Sequence, residues 1–344
     1  MDTAPPTGID LDAFAAWAAR RLPAIRAPFD AHVIVGGQSN ITARMTDADG
    51  HEFVLRRPPL HGVLPTAHDM GREHRIIHAL GPTAVPVPHA MAYCDDPGVI
   101  GAPFYVMSYV GGIVLNDVET AESGLEEHAR AHAGCSLVDS LVALHAVDVD
   151  EVGLGDLARR DELIRRQLKR WHAQFEASKT REVPAVDRVH AALADRIPEQ
   201  RESTVVHGDF RLGNCVVDTN GDIQAVLDWE ICTLGDPRAD VGYVLATWAE
   251  PGDPLRADDH NPTLAPGFTT RAVLLERYAE QSGRDVSDIP FFVAFSFWRL
   301  ACILEGVLAR ILSGARGDAD ADVDYFRRRV ESCALLAEEY ASGL

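Results

Sequence analysis

A chain of 344 residues, 47% hydrophobic and 24% charged, has ordinary globular composition and enough length for two sub-domains with cores of their own. Its formal charge of −20 argues against nucleic acid and against an anionic membrane surface as partners. The six cysteines (Cys94, Cys135, Cys215, Cys232, Cys302, Cys333) are scattered with no C-x-x-C pair, which argues against a disulfide framework or a zinc site and for reduced thiols in a cytoplasm.

Residues 1–10 are acidic and contain proline, with no basic start or apolar run, so they do not read as a leader. Residues 11–22 have helical apolar spacing behind Asp10, a suitable N-cap. Three strand-like runs follow at 32–35, 41–45 and 52–56. The first two are joined by Gly36-Gly37-Gln38-Ser39-Asn40, the next two by the hairpin chemistry of Asp47-Ala48-Asp49-Gly50. A helix is expected over 68–80, ended by Gly81-Pro82, then strands at 89–94 and 104–109. Beyond Val110-Gly111-Gly112 the pattern turns helical, with candidates at 126–147, 156–178, 185–197, 239–249, 270–282, 290–313 and 322–341. Arg299, Glu305 and Arg310 interrupt the most hydrophobic of these, which therefore reads as a buried helix and not a membrane span. Residues 249–268, rich in proline and aspartate, read as a surface loop. Short apolar strands at 203–206, 215–217 and 223–227 lie among the helices.

Those short strands frame the most informative stretch, His207-Gly208-Asp209-Phe210-Arg211-Leu212-Gly213-Asn214, with Asp228-Trp229-Glu230 after a turn at 219–222. Asp209 and Asn214 match the spacing D-x-x-x-x-N. Phosphoryl transfer needs such parts: one carboxylate to accept a hydroxyl proton, and an amide oxygen with a second carboxylate to hold magnesium. The spacing alone supports a phosphate and metal site.

HGDFRLGN, DWE and the following Gly235-Asp236-Pro237-Arg238-Ala239-Asp240 together resemble the aminoglycoside-phosphotransferase-like small-molecule kinases, above all the branch related to the kinase-like domains fused to some acyl-CoA dehydrogenases. The resemblance implies an α+β, protein-kinase-like two-lobed fold: an N-terminal helical extension over 1–24, a small β-rich N-lobe over 25–110 and a larger, mainly helical C-lobe over 111–344. It implies ATP, with GTP an alternative, and Mg²⁺ as cofactors, and a small-molecule hydroxyl as acceptor, either aminoglycoside-like or of hydroxyacyl type. A nucleotide-binding pseudokinase that acts as a regulatory or scaffold module is the other reading.

On this reading Asp209 is the general base, Asn214 and Asp228 are metal ligands, and Arg211 neutralises charge on the transferring group. Gly37, Ser39 and Asn40 close over the phosphates. Arg56 stands where kinases of the V-A-I-K type keep a lysine, and can pair phosphates bidentately. Glu73 is its expected partner. Met107 and Tyr109 flank backbone groups for the base of the nucleotide. His207 is expected to prop the loop, Asp240 to brace it, and Asp236 to cap a helix with Pro237 at its first position. Glu230 is a possible second metal contact or an anchor for Arg211.

Other patterns read as structural. Gly153-Leu154-Gly155-Asp156-Leu157-Ala158 matches the dinucleotide fingerprint but follows no strand. His74 and His78 lack the glutamate of H-E-x-x-H. The basic run Arg159, Arg160, Arg165, Arg166, Lys169 and Arg170 reads as a solvated helix face, with an anion-docking patch as the minority alternative. Phe291, Phe292, Phe295, Phe297 and Trp298 read mostly as core.

Overall fold

Helix α1 (Leu11–Arg21) opens on Asp10, whose carboxylate accepts the Ala13 N–H, and buries Phe14, Trp17 and Ala18. The computed structural model describes residues 8–34, 40–60, 69–253, 261–314 and 322–344. Backbone contacts divide the chain into two units, Met1–Gly112 with Gln224–Glu230, and Ile113–Ile223 with Ile231–Leu344.

The first unit holds a five-stranded antiparallel sheet in the order β1-β2-β3-β5-β4. Its strands are β1 (Asp30–Val33), β2 (Ile41–Thr46), β3 (Glu52–Arg57), β4 (Ala90–Cys94) and β5 (Phe104–Ser108), with α2 (Met70–Leu80) between β3 and β4. The turn after β2 works as its sequence suggests: Asp47 Oδ1 accepts from Asp49 N and His51 N at 2.9 and 2.8 Å. Strand periodicity then sorts β3. Phe53 and Leu55 join α1, Phe29, Met45 and Phe104 in one buried cluster, and Arg57 donates to the Ile100 carbonyl. The alternate residue Arg56 faces the side where α2 packs against β4 and β5. Sequence alternation thus places one arginine behind the sheet and the other in front of it.

The second unit is mainly helical. It runs through α3 (Val118–Gly124), α4 (Glu127–His145), α5 (Leu163–Ser178), α6 (Pro184–Asp195), β6 (Thr204–Val206) and β7 (Cys215–Val217). β8 (Ile223–Val226) leads into the segment that belongs to the first unit, and β9 (Thr233–Gly235) returns to pair antiparallel with β6. The helices α7 (Arg238–Thr247), α8 (Arg271–Ser282), α9 (Ile289–Leu312) and α10 (Val323–Ser342) complete it. α9 is long and apolar enough to cross a membrane by composition, yet it is the core helix of this unit, packed against α5, α6, α7 and α10. Phe291, Phe292, Phe295, Phe297 and Trp298 are all buried in that core. Its polar residues have dedicated partners: Glu305 accepts from Thr180 N and Thr180 Oγ1 at 2.6 Å each, and lies 3.1 Å from Arg181.

Four expectations need correction. The helix expected from 156 begins at Leu163, because Glu162 sits at φ 55° and Arg160 ties the preceding turn to Asp150 and to the Gly155 carbonyl. That same turn contains the false dinucleotide fingerprint. α7 starts at Arg238 with Pro237 in the cap position. Asp236, instead of making an ordinary cap, accepts both the Arg238 N–H and its guanidinium. The described part of 249–268 is a loop with exposed positions at 251, 252 and 266, but it is anchored inward: Thr263 is buried and bonds both ways with the Ala249 backbone. Finally, α3 and β9 were not foreseen. The expected strand at 32–35 is Asp30–Val33, and Val35 lies outside the described residues.

Candidate active site

In the second unit β6 ends at Val206 and the chain turns through His207 to Asn214. Gly208 is at φ +87°, and a Cβ there would press at 3.2–3.3 Å on the Ile231 side chain and carbonyl. Asp240, wholly buried on α7, accepts His207 N at 2.7 Å and Gly208 N at 2.8 Å. His145 stands 3.4 Å from the same carboxylate and bonds the Tyr278 hydroxyl through Nδ1 at 2.9 Å. Burial pushes the Asp240 pKa up, but the His145 hydrogen bond and charge, His207 and the Gly208 N–H hold it below the usual range. Arg299 donates to the Gly208 carbonyl at 2.5 Å from α9. The backbone turn is therefore clamped from three helices.

The clamped turn presents Asp209. Its N–H donates to His207 Nδ1 at 3.2 Å, and Asn214 Nδ2 donates to both its carbonyl and its Oδ2 at 2.8 Å. Arg211 Nε is 3.4 Å from Oδ1. Tyr243 adjoins the same carboxylate, its phenol pKa pushed up by burial and then by the Asp209 charge. Because the Asn214 amide nitrogen is spent on Asp209, Oδ1 is the atom it can offer a hard cation.

Beside this turn is a cavity of about 220 Å³ whose lining includes Arg211, Tyr243, Phe297, Tyr325 and Arg329. Among the described residues two arginines and no carboxylate line it.

The first unit gathers a separate set. Arg56 donates through Nη2 to Asp228 Oδ1 at 2.7 Å, and its Nε lies 3.3 Å from Glu73 Oε2. Tyr105 O–H donates to the same Glu73 oxygen at 3.0 Å. Asn40 Nδ2 reaches Glu73 Oε1 and Glu230 Oε2, both at 3.3 Å, while its Oδ1 is buried with no hydrogen-bond donor among the described residues. Asp228 is at φ +66°, a left-handed conformation that is strained for a residue with a side chain and that aspartate tolerates better than most. Burial pushes the Glu73 pKa up to about 7; Arg56 and Tyr105 oppose this, and Asp228 and Glu230 add to it. Two carboxylates thus share the Arg56 guanidinium, and the charge of Glu230 adds to theirs at Glu73. That excess of negative charge, with an orphaned carbonyl oxygen, is a donor set suited to a divalent cation.

The structure brings Arg56, Glu73, Asn40 and Asp228 together in one unit, and Asp209, Arg211 and Asn214 together in the other. Glu230 meets Asn40. Met107 is buried in β5, paired with Val54 and Ala90, and the Tyr109 ring lies 4.3 Å beneath the Arg44 guanidinium. Gly37 and Ser39 lie outside the described residues. Sequence reasoning missed Tyr105, Tyr243, His145 and Arg299. For Arg299 a signal existed: an arginine inside an apolar helix needs a buried acceptor.

A five-stranded antiparallel sheet with one helix, followed by a helical unit carrying a clamped H-G-D turn, defines the kinase-like phosphotransferase fold. Comparison with known proteins agrees. The profile of the phosphotransferase enzyme family (APH) matches residues 30–274, and the chain belongs to that family. It is 37% identical over 310 residues to mouse (Mus musculus) acyl-CoA dehydrogenase family member 10, a match that covers 89% of this chain and 28% of that protein. The chain therefore corresponds to under a third of that relative. A solved Ralstonia eutropha structure with the provisional name aminoglycoside phosphotransferase is 31% identical, with a TM-score of 0.83 over 97% of this chain and 99% of that one. The GDP complex of aminoglycoside 2'-phosphotransferase-IIIa, at 14% identity and a TM-score of 0.60 over 97% and 99%, shares the fold.

Proposed function

We propose that this chain is an ATP-dependent phosphotransferase that moves the γ-phosphoryl group to a hydroxyl of a small molecule, with GTP as an alternative donor. The observation that carries the reading is the clamped turn with Asp209 at its tip. Asp209 accepts the acceptor's hydroxyl proton as its oxygen attacks phosphorus. Asn214 through Oδ1 and Asp228 through its carboxylate would hold Mg²⁺, which supplies charge neutralisation on the phosphates. Arg56, oriented by Glu73, and the loop through Gly37, Ser39 and Asn40 hold the phosphates, and Arg211 offsets charge that develops during transfer. The backbone near Met107 and Tyr109 receives the nucleotide base. The six free thiols accord with a cytoplasmic protein.

For the acceptor, the cavity beside Arg211 favours a hydroxyacyl-type molecule over an aminoglycoside, because among the described lining residues a polycation would meet two arginines and no carboxylate. Nucleotide consumption should be screened across aminoglycosides, amino alcohols, sugars and hydroxyacyl thioesters. The expected result is turnover with one acceptor class that is abolished by Asp209→Ala while thermal unfolding is unchanged. Near-normal turnover by that variant removes the proposed base.

One observation supports a second reading, a nucleotide-binding pseudokinase: arginine in place of the usual lysine at 56. Thermal-shift titration with ATP separates the two. Stabilisation that requires Mg²⁺, with slow nucleotide hydrolysis, supports the enzyme. Stabilisation without metal, and no hydrolysis, supports the module.

A further inference from the structure

Six basic residues in or beside α5 have no part in the phosphoryl-transfer reading, and their contacts divide them. Arg159 pairs with Asp161 and Glu162, Arg160 with Asp150, Arg166 with the Arg159 carbonyl, and Arg170 lies 5.4 Å over Trp171. Arg165 and Lys169 remain. At i and i+4 they share one stripe of α5 with His172, and that stripe lines a groove against α6 of about 360 Å³. Leu168, His190 and Ile197 also line it, with two alanines and, among the described residues, no carboxylate. The volume lies within the usual range for small-ligand sites.

We propose that this groove binds an anionic amphiphile: a short apolar chain on Leu168, Ile197 and the alanines, with a carboxylate or phosphate head held by Arg165 and Lys169. Charge complementarity is the argument. On a chain of net charge −20, a groove whose described lining holds two cations and no carboxylate is out of character with its surroundings. Lys169 has no carboxylate partner among the described residues, and Arg165 has only Glu162 at 3.5 Å. The histidines form the floor of the groove beside the two cations. His172 has Asp187 behind it at 3.0 Å from Nε2, and its ring stacks on His190 at 3.9 Å. The His190 ring also stacks on Trp298 at 5.6 Å, which gives occupancy of the groove a fluorescent reporter.

His172, Glu176 and Asp187 also bring one ligand atom each within 4.8 Å of one another, so a divalent cation is the competing occupant. Glu176 is engaged by Lys179 at 3.2 Å and His172 by Asp187, which favours the anion.

Calorimetric titration of the full chain with octanoate, octyl phosphate, inorganic phosphate and octanol tests this, with intrinsic fluorescence in parallel. Saturable binding of at least one of the two amphiphiles is expected, and their ratio identifies the head group. Inorganic phosphate and octanol should each bind at least about tenfold more weakly, since each lacks half of the ligand. The exposed double variant R165E/K169E should lose about tenfold or more in affinity while its thermal unfolding is unchanged. No saturable binding of either amphiphile overturns the proposal, as does affinity unaltered in the double variant. Zn²⁺ uptake that His172→Ala abolishes, without amphiphile binding, overturns it in favour of a metal site.

Discussion

Glu73 offers a prediction whose sign is opposite to the usual expectation for a buried ion pair. Its side chain is 2% exposed, it lies 3.3 Å from Arg56, and its pKa is nonetheless raised from 4.5 to about 7. Burial outweighs the guanidinium, and Asp228 and Glu230 add repulsion. A raised carboxyl means that the folded chain keeps a proton which the unfolded chain has lost. Stability is then full below about pH 4.5 and falls as the pH rises through about 7. At about 1.4 kcal/mol for each pH unit of difference, the ionised carboxylate costs about 3 kcal/mol above neutrality. Glu73→Gln mimics the protonated form at every pH. It should therefore leave stability near pH 4.5 little changed and raise it by up to about 3 kcal/mol near pH 8. Arg56 stays compensated, because Asp228 remains 2.7 Å away. Urea unfolding from about pH 4.5 to 8, followed by far-ultraviolet circular dichroism, measures both slopes. Parallel pH profiles for the parent and variant, or a variant less stable at pH 8, would refute the reasoning.

Asp240→Asn should destabilise by about 3–5 kcal/mol, since an amide offers one acceptor where the carboxylate serves the His207 and Gly208 N–H groups, and it turns a donor toward the other. The difference should shrink only in strong acid, because the depressed pKa is titrated there; a loss under about 1 kcal/mol in urea unfolding at neutral pH contradicts the clamp. Gly221→Ala places a Cβ 2.2 Å from the Ala129 carbonyl at φ +93°, and should cost about 2–3 kcal/mol and reduce turnover by shifting the turn between Asp209 and Asp228. An unchanged melting temperature would show that the turn yields freely.

Local chemistry was legible in the sequence; long-range pairing and tertiary override were not. Asp10 and Asp47 were readable because their partners are within four residues. The strand order β1-β2-β3-β5-β4 leaves its sequential neighbours β3 and β4 apart, and no local signal encodes that. α3 escaped notice because its capping box, Asp117 with Thr120, precedes a short helix with one buried residue and no apolar stripe. β9 has three residues and exists through β6. The false start of α5 came from apolar spacing that runs on past the Arg160–Asp150 tie, a contact made by side chains ten residues apart. In the candidate site, HGDFRLGN and DWE announced Asp209, Asn214 and Asp228. Nothing announced that Asp228 would meet Arg56 across 172 residues, or that Tyr105 would share Glu73.

The exchange of lysine for arginine at 56 makes physical sense in that company. A lysine ammonium is a point charge with no planar fork. Arg56 directs Nη2 at Asp228 and Nε at Glu73, so one cation orients two carboxylates from different elements. Burial works against the charge, yet the neighbouring acids raise the Arg56 pKa, which keeps it cationic at any physiological pH. The remaining imbalance falls on Glu73, the group whose pKa is pushed to about 7. A divalent cation at Asp228 would supply positive charge near Glu73 and free Arg56 to turn toward phosphate. The cation should then lower the Glu73 pKa, so the pH dependence that Glu73→Gln removes from the free protein should weaken when Mg²⁺ is bound and return in part as ATP draws Arg56 away. A pH profile untouched by both would separate Arg56 from the nucleotide and leave its two carboxylate contacts as architecture.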